Sequence, residues 1–266
     1  MAEAYINPTD VSRILEIAQI AARLAGDYLL QKHGSARVLG QKSARDDLLD
    51  ADIEAERLIL ATLQAETPDF GFLSEEAGRR GATGETDSYW IIDPLDGSAN
   101  FQHGSPLFAV SIAFVAHQTT RAGVIYLPTS HEMFVAAEQQ GAYLNDRPIH
   151  VSTIKTLAEA IVHVGDFMKA DQVEVIPERL HELSMLAMQV RRVRMMGTAA
   201  TDLAYVACGR ADLLINHAHH PWDIEAGKLL LQEAGGKVTV QQCIHDRPLA
   251  IYSNSMIHSE VEQLFD

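Results

Sequence analysis

Two cysteines in 266 residues, Cys208 and Cys243, provide no disulfide framework and no metal-type spacing. Such usage fits a reduced, cytoplasmic compartment. No apolar run approaches the roughly 20 residues that cross a bilayer, so no membrane association is expected. Met1 to Asn7 lacks the basic-then-apolar order of a secretory leader. Basic charge is scarce as well: 21 Lys and Arg stand against 36 Asp and Glu, a formal net charge of -15. A chain of that sign is a poor binder of a phosphate backbone, so direct nucleic-acid contact is not expected. Internal repeats and low-complexity segments are also missing. What remains, 47% hydrophobic and 21% charged residues, is the balance of a globular enzyme with a substantial core. The acid excess suits carboxylates that collect divalent cations, and equally suits solvated surface charge.

Apolar residues at Val11, Ile14, Leu15, Ala18, Ala21, Ala22, Ala25 and Leu29 predict a helix from a Thr9 or Asp10 cap to about Lys32, closed by Gly34. A polar link with Lys42, Asp46, Asp47 and Asp50 leads into a second helix ending near Gln64. Ile53, Leu60 and Leu63 are expected inside it, and Asp52 and Glu56 share a face. A short strand at 70–73 runs into Ser74-Glu75-Glu76, and Gly78 to Thr86 reads as a loop. Strands are expected at 107–116, 123–127, 133–137 and 141–144, with a turn at Asn145-Asp146. Residues from about 65 to 150 therefore read as a mainly antiparallel block behind two helices. From Val151 strands alternate with helices: strands at 161–164, 193–195, 212–216, 238–240 and 249–253, helices at 177–189, 198–208, 222–234 and the C-terminus. The change of pattern divides the chain into an N-terminal half, 1–150, and a C-terminal half, 151–266.

The segment Trp90 to Phe101 starts as a buried strand and ends in polar residues, with Asp93 and Asp96 three apart around Pro94. It reads in two ways. One is a strand followed by a solvated Asp-Pro-x-Asp-Gly turn. The other is a seat for a hard cation built from Asp93, Asp96 and the Leu95 carbonyl, with the N–H groups of Gly97 and Ser98 facing a phosphate. Glu75, at a strand end, and Asp223, at a helix start, add acids at element boundaries and weaken the first reading for the set.

These residues resemble the inositol monophosphatase superfamily of metal-dependent sugar and polyol phosphatases. Trp90 to Phe101 fits its Trp-x-x-Asp-Pro-x-Asp-Gly-Thr/Ser-x-Asn-Phe motif. Trp222-Asp223, Ala226-Gly227 and Glu233-Ala234-Gly235-Gly236 fit its second motif. Gly197-Thr198-Ala199-Ala200, Glu75-Glu76, Lys42 and the Asp46 to Asp52 spacing match in the same order. The resemblance implies an α/β layered fold, a five-layer αβαβα sandwich, usually as a homodimer. It implies Mg²⁺-dependent, Li⁺-sensitive hydrolysis of a phosphate monoester, with two to three ions per site and in-line attack by a water that the cations activate. It implies that Glu75, Asp93 and the Leu95 carbonyl hold one ion, that Asp93, Asp96 and Asp223 hold a second, and that a weaker third lies near Glu75 and Glu76. Gly97 and Ser98 would bind phosphate, and Ser98 paired with Asp52 would orient and deprotonate the water. Asp96, Gly197, Thr198, Ala199, Asn216 and Asp223 would contact substrate.

The chain departs from the family pattern at Ser74, often Gly, at Ser98, more often Thr, and at Glu225, usually small. It also carries Asn216 where inositol-specific members have a Glu for substrate hydroxyls. Asn still donates and accepts but is neutral, which weakens the case for inositol. The expected substrate is a small polyol, sugar or amino-alcohol phosphate, with histidinol phosphate and fructose 1,6-bisphosphate as alternatives. A regulatory protein that keeps the fold is the non-enzymatic alternative. His217, His219 and His220 lack a partner cluster for zinc and read better as a loop at the substrate mouth. Arg191, Arg192 and Arg194 read as alternating strand positions facing solvent or a partner, or else as a contact for a second substrate phosphate. Specificity is expected around Asn216 and Gly165 to Asp171.

Overall fold

The computed structural model describes residues 8–43, 46–81, 87–165, 176–217, 220–242 and 248–265. Small and apolar residues at helical spacing form α1 (Pro8–Lys32), which buries Ile14, Ala18, Ala21, Ala25 and Leu29. Its bounds place Thr9 and Asp10 inside the first turn, after Pro8, rather than at the position before the helix. Gly34, at φ +76°, follows its end. The segment expected as a polar link is a hairpin of β1 (Val38–Ser43) and β2 (Asp46–Leu49). A two-stranded ribbon without an apolar face carries no period-two signal, which is why the sequence conceals it. α2 (Asp50–Glu66) buries Ala51, Asp52, Ala55, Glu56, Ile59 and Leu63, while Ile53, expected inside, is 41% exposed. At its N-terminal end the inward face is made by Ala51, Ala55 and two acids, with Ile59 and Leu63 continuing it, so the large apolar residue nearest the helix start is a poor guide to it.

β3 (Gly71–Ser74), β4 (Gly78–Arg80) and β5 (Ser88–Asp96) follow, then one helical turn, α3 (Ser98–Gln102). β6 (Ala109–Ala116), β7 (Thr119–Leu127), β8 (Glu132–Ala137), β9 (Ala142–Leu144) and β10 (Arg147–Ile149) complete an eight-stranded sheet of order β10-β9-β8-β7-β6-β5-β3-β4. Its neighbours run antiparallel except β3 and β5. The start of the loop expected from Gly78 is therefore an edge strand, and residues 82–86 lie outside the described residues. Asn145 and Asp146, at φ +46° and +65°, form the expected turn and lead into β10, which the sequence reading omitted.

The second sheet has five strands in the order β12-β11-β13-β15-β14. Along the chain come β11 (Ile161–Val164), α4 (Ile176–Gln189), β12 (Arg192–Arg194), α5 (Ala199–Ala207), β13 (Leu213–Asn216), α6 (Pro221–Glu233), β14 (Lys237–Gln242), β15 (Pro248–Ser253) and α7 (His258–Phe265). β11, β12 and β13 are parallel; β14 and β15 are antiparallel additions.

Period-two alternation turns these sheets into layers. Trp90, Ile92 and Phe114 pack with α1 and α2. Ile91, Ala113 and Ile125, on the opposite face, pack with Leu203 of α5, Leu230 of α6, and Leu214 and Tyr252 of the second sheet. Leu213, Ile215 and Ile251 face the other way, onto Leu186 of α4 and Val261 of α7. The order is αβαβα, as the sequence resemblance implied. Glu233 ties the end of α6 to the β8–β9 turn, accepting from the N–H of Gln139 at 2.7 Å and of Gly141 at 2.8 Å.

Candidate active site

Asp93 and Asp96 share a direction because the sheet is irregular between them. In a regular strand, residues three apart face opposite sides. Here Asp93 pairs with Ser111 and Asp96 with Ala109, so β5 uses one residue more than β6 over the same span. Pro94, with no N–H to give the ladder, occupies the bulge. Ser111 and Ala109 are two apart and face one side, and both aspartates are thereby turned towards α5 and α6.

Gly97, at φ +95°, then turns the chain into α3. A Cβ there would lie 3.0 Å from the Leu107 carbonyl oxygen and 3.3 Å from Thr198 Cβ, so only glycine fits without a shift. Asn100 secures this corner by donating to the carbonyls of Leu107 at 2.9 Å and Met196 at 2.7 Å.

Helix starts supply the other acids. Asp52, in the first turn of α2, accepts from the Leu49 N–H through Oδ2 at 2.7 Å. Its Oδ1 accepts from Ser98 Oγ at 3.1 Å, and Ser98 Oγ is also 3.1 Å from the Leu95 carbonyl oxygen. Asp223, in the first turn of α6, accepts from the His220 N–H at 2.9 Å. Asp96 Oδ2 accepts from Thr198 Oγ1 at 2.5 Å and from the Ala200 N–H at 2.6 Å, at the start of α5. Each acid is thus held through one oxygen by a helix entrance, where peptide dipoles favour negative charge.

Glu75 follows β3, whose parallel neighbour β5 places it beside the aspartates: its N–H donates to the Ile92 carbonyl at 3.1 Å. Lys42, from β1, reaches into the cluster. Its Nζ is 3.0 Å from Glu75 Oε1, 3.7 Å from Asp52 Oδ1, and paired with Glu76.

This crowding has an electrostatic cost. Asp93 is 2% exposed, and burial together with Glu75, Asp96 and Asp223 holds its carboxyl well above the usual carboxylate range. Burial, reinforced by Asp223 and only partly countered by Thr198, pushes Asp96 up to about 8. Burial raises Asp52 to about 6 and Glu76 to about 7, with the Lys42 charge opposing in both. Burial lowers the Lys42 ammonium but the surrounding acids outweigh it, and its pKa rises well above the usual lysine value. Among the described residues no three His, Cys, Asp or Glu side chains close around one point. The donors are nonetheless all hard oxygens, and their mutual repulsion is what a divalent cation would relieve, so the residues present fit Mg²⁺ better than a softer metal.

Gly197, Thr198 and Ala199 form the turn into α5, where the Thr198 hydroxyl donates to Asp96. Asn216 ends β13 and is 5% exposed. A Cβ on Gly165 would stand 2.6 Å from its Oδ1, so Gly165 is what lets the amide lie there. Asp166 to Asp171 and His219 lie outside the described residues. His217 turns to Glu182 at 2.5 Å and His220 stacks on Trp222 with ring centroids 4.6 Å apart, so the described histidines do not converge. Arg192 and Arg194 are exposed on β12, an edge strand. The sequence reading gave Glu56 no role, although its spacing from Asp52 and the hydroxyl at Ser74 were visible signals; both prove to be buried beside the glutamates.

The profile described as "Inositol monophosphatase family" matches residues 10–263. An inositol-1-monophosphatase of Synechocystis sp. is 36% identical over 264 residues, 97% of this chain and 90% of the relative. A protein of Xylella fastidiosa named Nus factor SuhB is 40% identical over 220 residues, covering 82% of this chain and 78% of its own length. The crystal structure of the extragenic suppressor protein suhB from Bartonella henselae superposes with a TM-score of 0.88 at 36% identity, covering 96% of this chain and 98% of that one.

Proposed function

The chain belongs to the inositol monophosphatase family, and from that premise we propose that it is a Mg²⁺-dependent phosphatase of a small polyol, sugar or amino-alcohol phosphate. The observation that carries this reading is the crowding of like charge around buried Asp93, whose ionisation the half-buried Glu75, Asp96 and Asp223 all oppose. Glu75, Asp93 and the Leu95 carbonyl hold one ion. Asp93, Asp96 and Asp223 hold a second, and Glu76 beside Glu75 serves a weaker third. Bound Mg²⁺ supplies neutralisation of the phosphate dianion and acidification of water at the site.

The chain's own groups do the rest. The Gly97 and Ser98 N–H groups hold the phosphate. Ser98 Oγ, 3.1 Å from Asp52 Oδ1, orients the attacking water, and Asp52 draws away its proton. An acid at about 6 is ionised at neutral pH yet remains a stronger base than an ordinary aspartate, as general-base work requires. Lys42 balances the charge of Glu75, Glu76 and Asp52 while the glutamates await their cation. Asp96, Gly197, Thr198, Ala199 and Asp223 line the substrate side, and Asn216 selects the alcohol by donating to one hydroxyl and accepting from another. The protein acts as a homodimer.

Phosphate release from inositol 1-phosphate, histidinol phosphate and fructose 1,6-bisphosphate, with and without Mg²⁺ and Li⁺, tests reaction and substrate together. Mg²⁺-dependent turnover of one of them is expected; no turnover of any phosphate ester would overturn the reading. The relative named a Nus factor favours one second reading, a regulatory protein that binds a partner through this fold. A stoichiometric partner recovered by affinity capture, with no turnover, would favour that one.

A further inference from the structure

α2 carries a second buried acid that the chemistry above does not use. Glu56 lies one helical turn after Asp52 and is 6% exposed. Its Oε1 accepts from the Ala77 N–H at 3.0 Å, from the Glu76 N–H at 3.2 Å, and from the hydroxyl of Ser74, which is fully buried. Three donors on one oxygen fix the turn that contains Glu75 and Glu76. The other side of that turn is fixed by β5, through the Glu75 N–H on the Ile92 carbonyl at 3.1 Å. One face of α2 therefore reaches both parts of the site: Asp52 holds Ser98, and Glu56 holds the paired glutamates.

We propose that Glu56, with Ser74, is a positioning residue that sets the direction in which Glu75 and Glu76 present their carboxylates to a divalent cation. The proposal rests on the reading of those glutamates as cation-holding groups. It also explains Ser74, where the resembling family often has Gly. The hydroxyl adds a third donor to a carboxylate that would otherwise accept from two backbone groups. Cation sites tolerate errors of only about 0.2 Å in ligand distance. An anchor that acts on the backbone of two adjacent ligands therefore affects metal affinity before it affects substrate contacts.

The test is Mg²⁺ titrated by calorimetry into the metal-free full-length protein, with Mg²⁺ activation measured alongside. Glu56→Ala should weaken Mg²⁺ binding about 10- to 100-fold, the usual loss when a group orienting a metal ligand is removed. KM for the phosphate ester at saturating Mg²⁺ should change less than about twofold, because the substrate-side groups keep their own anchors. Glu56→Gln keeps an acceptor oxygen in place and should restore affinity to within about threefold; Ser74→Ala, losing one donor of three, should cost about two- to fivefold. Should Glu56→Ala fail to fold, the two milder variants decide: Ser74→Ala binding Mg²⁺ like the unaltered protein overturns the proposal. Wild-type affinity in Glu56→Ala overturns it directly, and so does a Glu56→Gln variant as weak as Glu56→Ala, since that would make bare charge the cause. Glu75→Gln separates the two levels. If it binds Mg²⁺ normally, the cation reading itself fails; if it is weak while Glu56→Ala is normal, only the anchor fails.

Discussion

Asp93, at the bulge within β5, and Asp212, just before β13, are both buried aspartates, and they live in opposite circumstances. Asp212, 4% exposed before β13, accepts from the Ile161 N–H at 2.6 Å and from the Ser152 hydroxyl. Asn254 continues that network by donating to Ser152 Oγ at 2.8 Å and to the Ile154 carbonyl at 2.9 Å. Asp93 accepts from the Leu95 N–H at 3.0 Å and faces three other acids. The first is a carboxylate whose donors join strand ends; the second is held by the fold against its own electrostatics. A buried acid with matched donors stabilises structure, whereas one crowded by like charge marks a place where the fold accepts a cost for chemistry.

Exchanging the two acids' fortunes should separate these roles. The largest effect is expected for Asp93→Asn. Phosphate release in Mg²⁺ should fall about a thousandfold, equivalent to about 4 kcal/mol of barrier, with the metal-free fold as stable or more so. Near-full activity in that variant would remove Asp93 from the reaction. Asp212→Ala should do the reverse. It leaves the Ile161 N–H and the Ser152 hydroxyl without their acceptor and should cost about 2–3 kcal/mol, visible as a lowered thermal midpoint, with kcat/KM of the folded protein unchanged.

The next contrast is in pH. Asp52 at about 6, Glu76 at about 7 and Asp96 at about 8 bind protons more tightly in the fold than in the unfolded chain, where carboxylates titrate near about 4. Their contribution is complete below the unfolded value and is lost as pH rises through the folded values, so the metal-free midpoint should fall from about pH 5 to about pH 9. Saturating Mg²⁺ should flatten that slope; a midpoint that climbs over this range without metal would contradict the account.

The smallest effect belongs to α7. Burial, aided by Lys237 and opposed by Glu262, keeps the His258 imidazole below its ordinary value. Its Nδ1 lies 2.6 Å from Ser253 Oγ and its Nε2 2.8 Å from Thr239 Oγ1. Here stability is present above the unfolded imidazole value, near about 6.5, and is lost as pH falls. Protection factors of α7 amides, corrected for intrinsic exchange, should drop below about pH 6, by under about tenfold, while those of α2 and α5 hold. Equal protection at both pH values would mean that the imidazole does not anchor the helix.

The layered fold was legible in the sequence because it depends on patterns that single segments carry. The alternation in Trp90-Ile91-Ile92 and the helical stripe of α1 each state which face is apolar, and burial follows from that. The β1–β2 hairpin and the outward turn of Ile53 were not legible, because neither has an apolar pattern to announce it. Within the site the residue types were readable: acids at element boundaries, a glycine at a forced corner, a small residue before the glutamates.

What the chain alone determined is which groups are available, since residue identity and spacing fix hydrogen-bonding capacity and charge. What only the tertiary structure decided is where each group points. The extra residue in β5 brings Asp93 and Asp96 to one side, three helix entrances aim their acids inward, and Glu56 takes hold of a turn 18–21 residues away in sequence. Direction depends on register and on partners distant in sequence, and no local pattern encodes either.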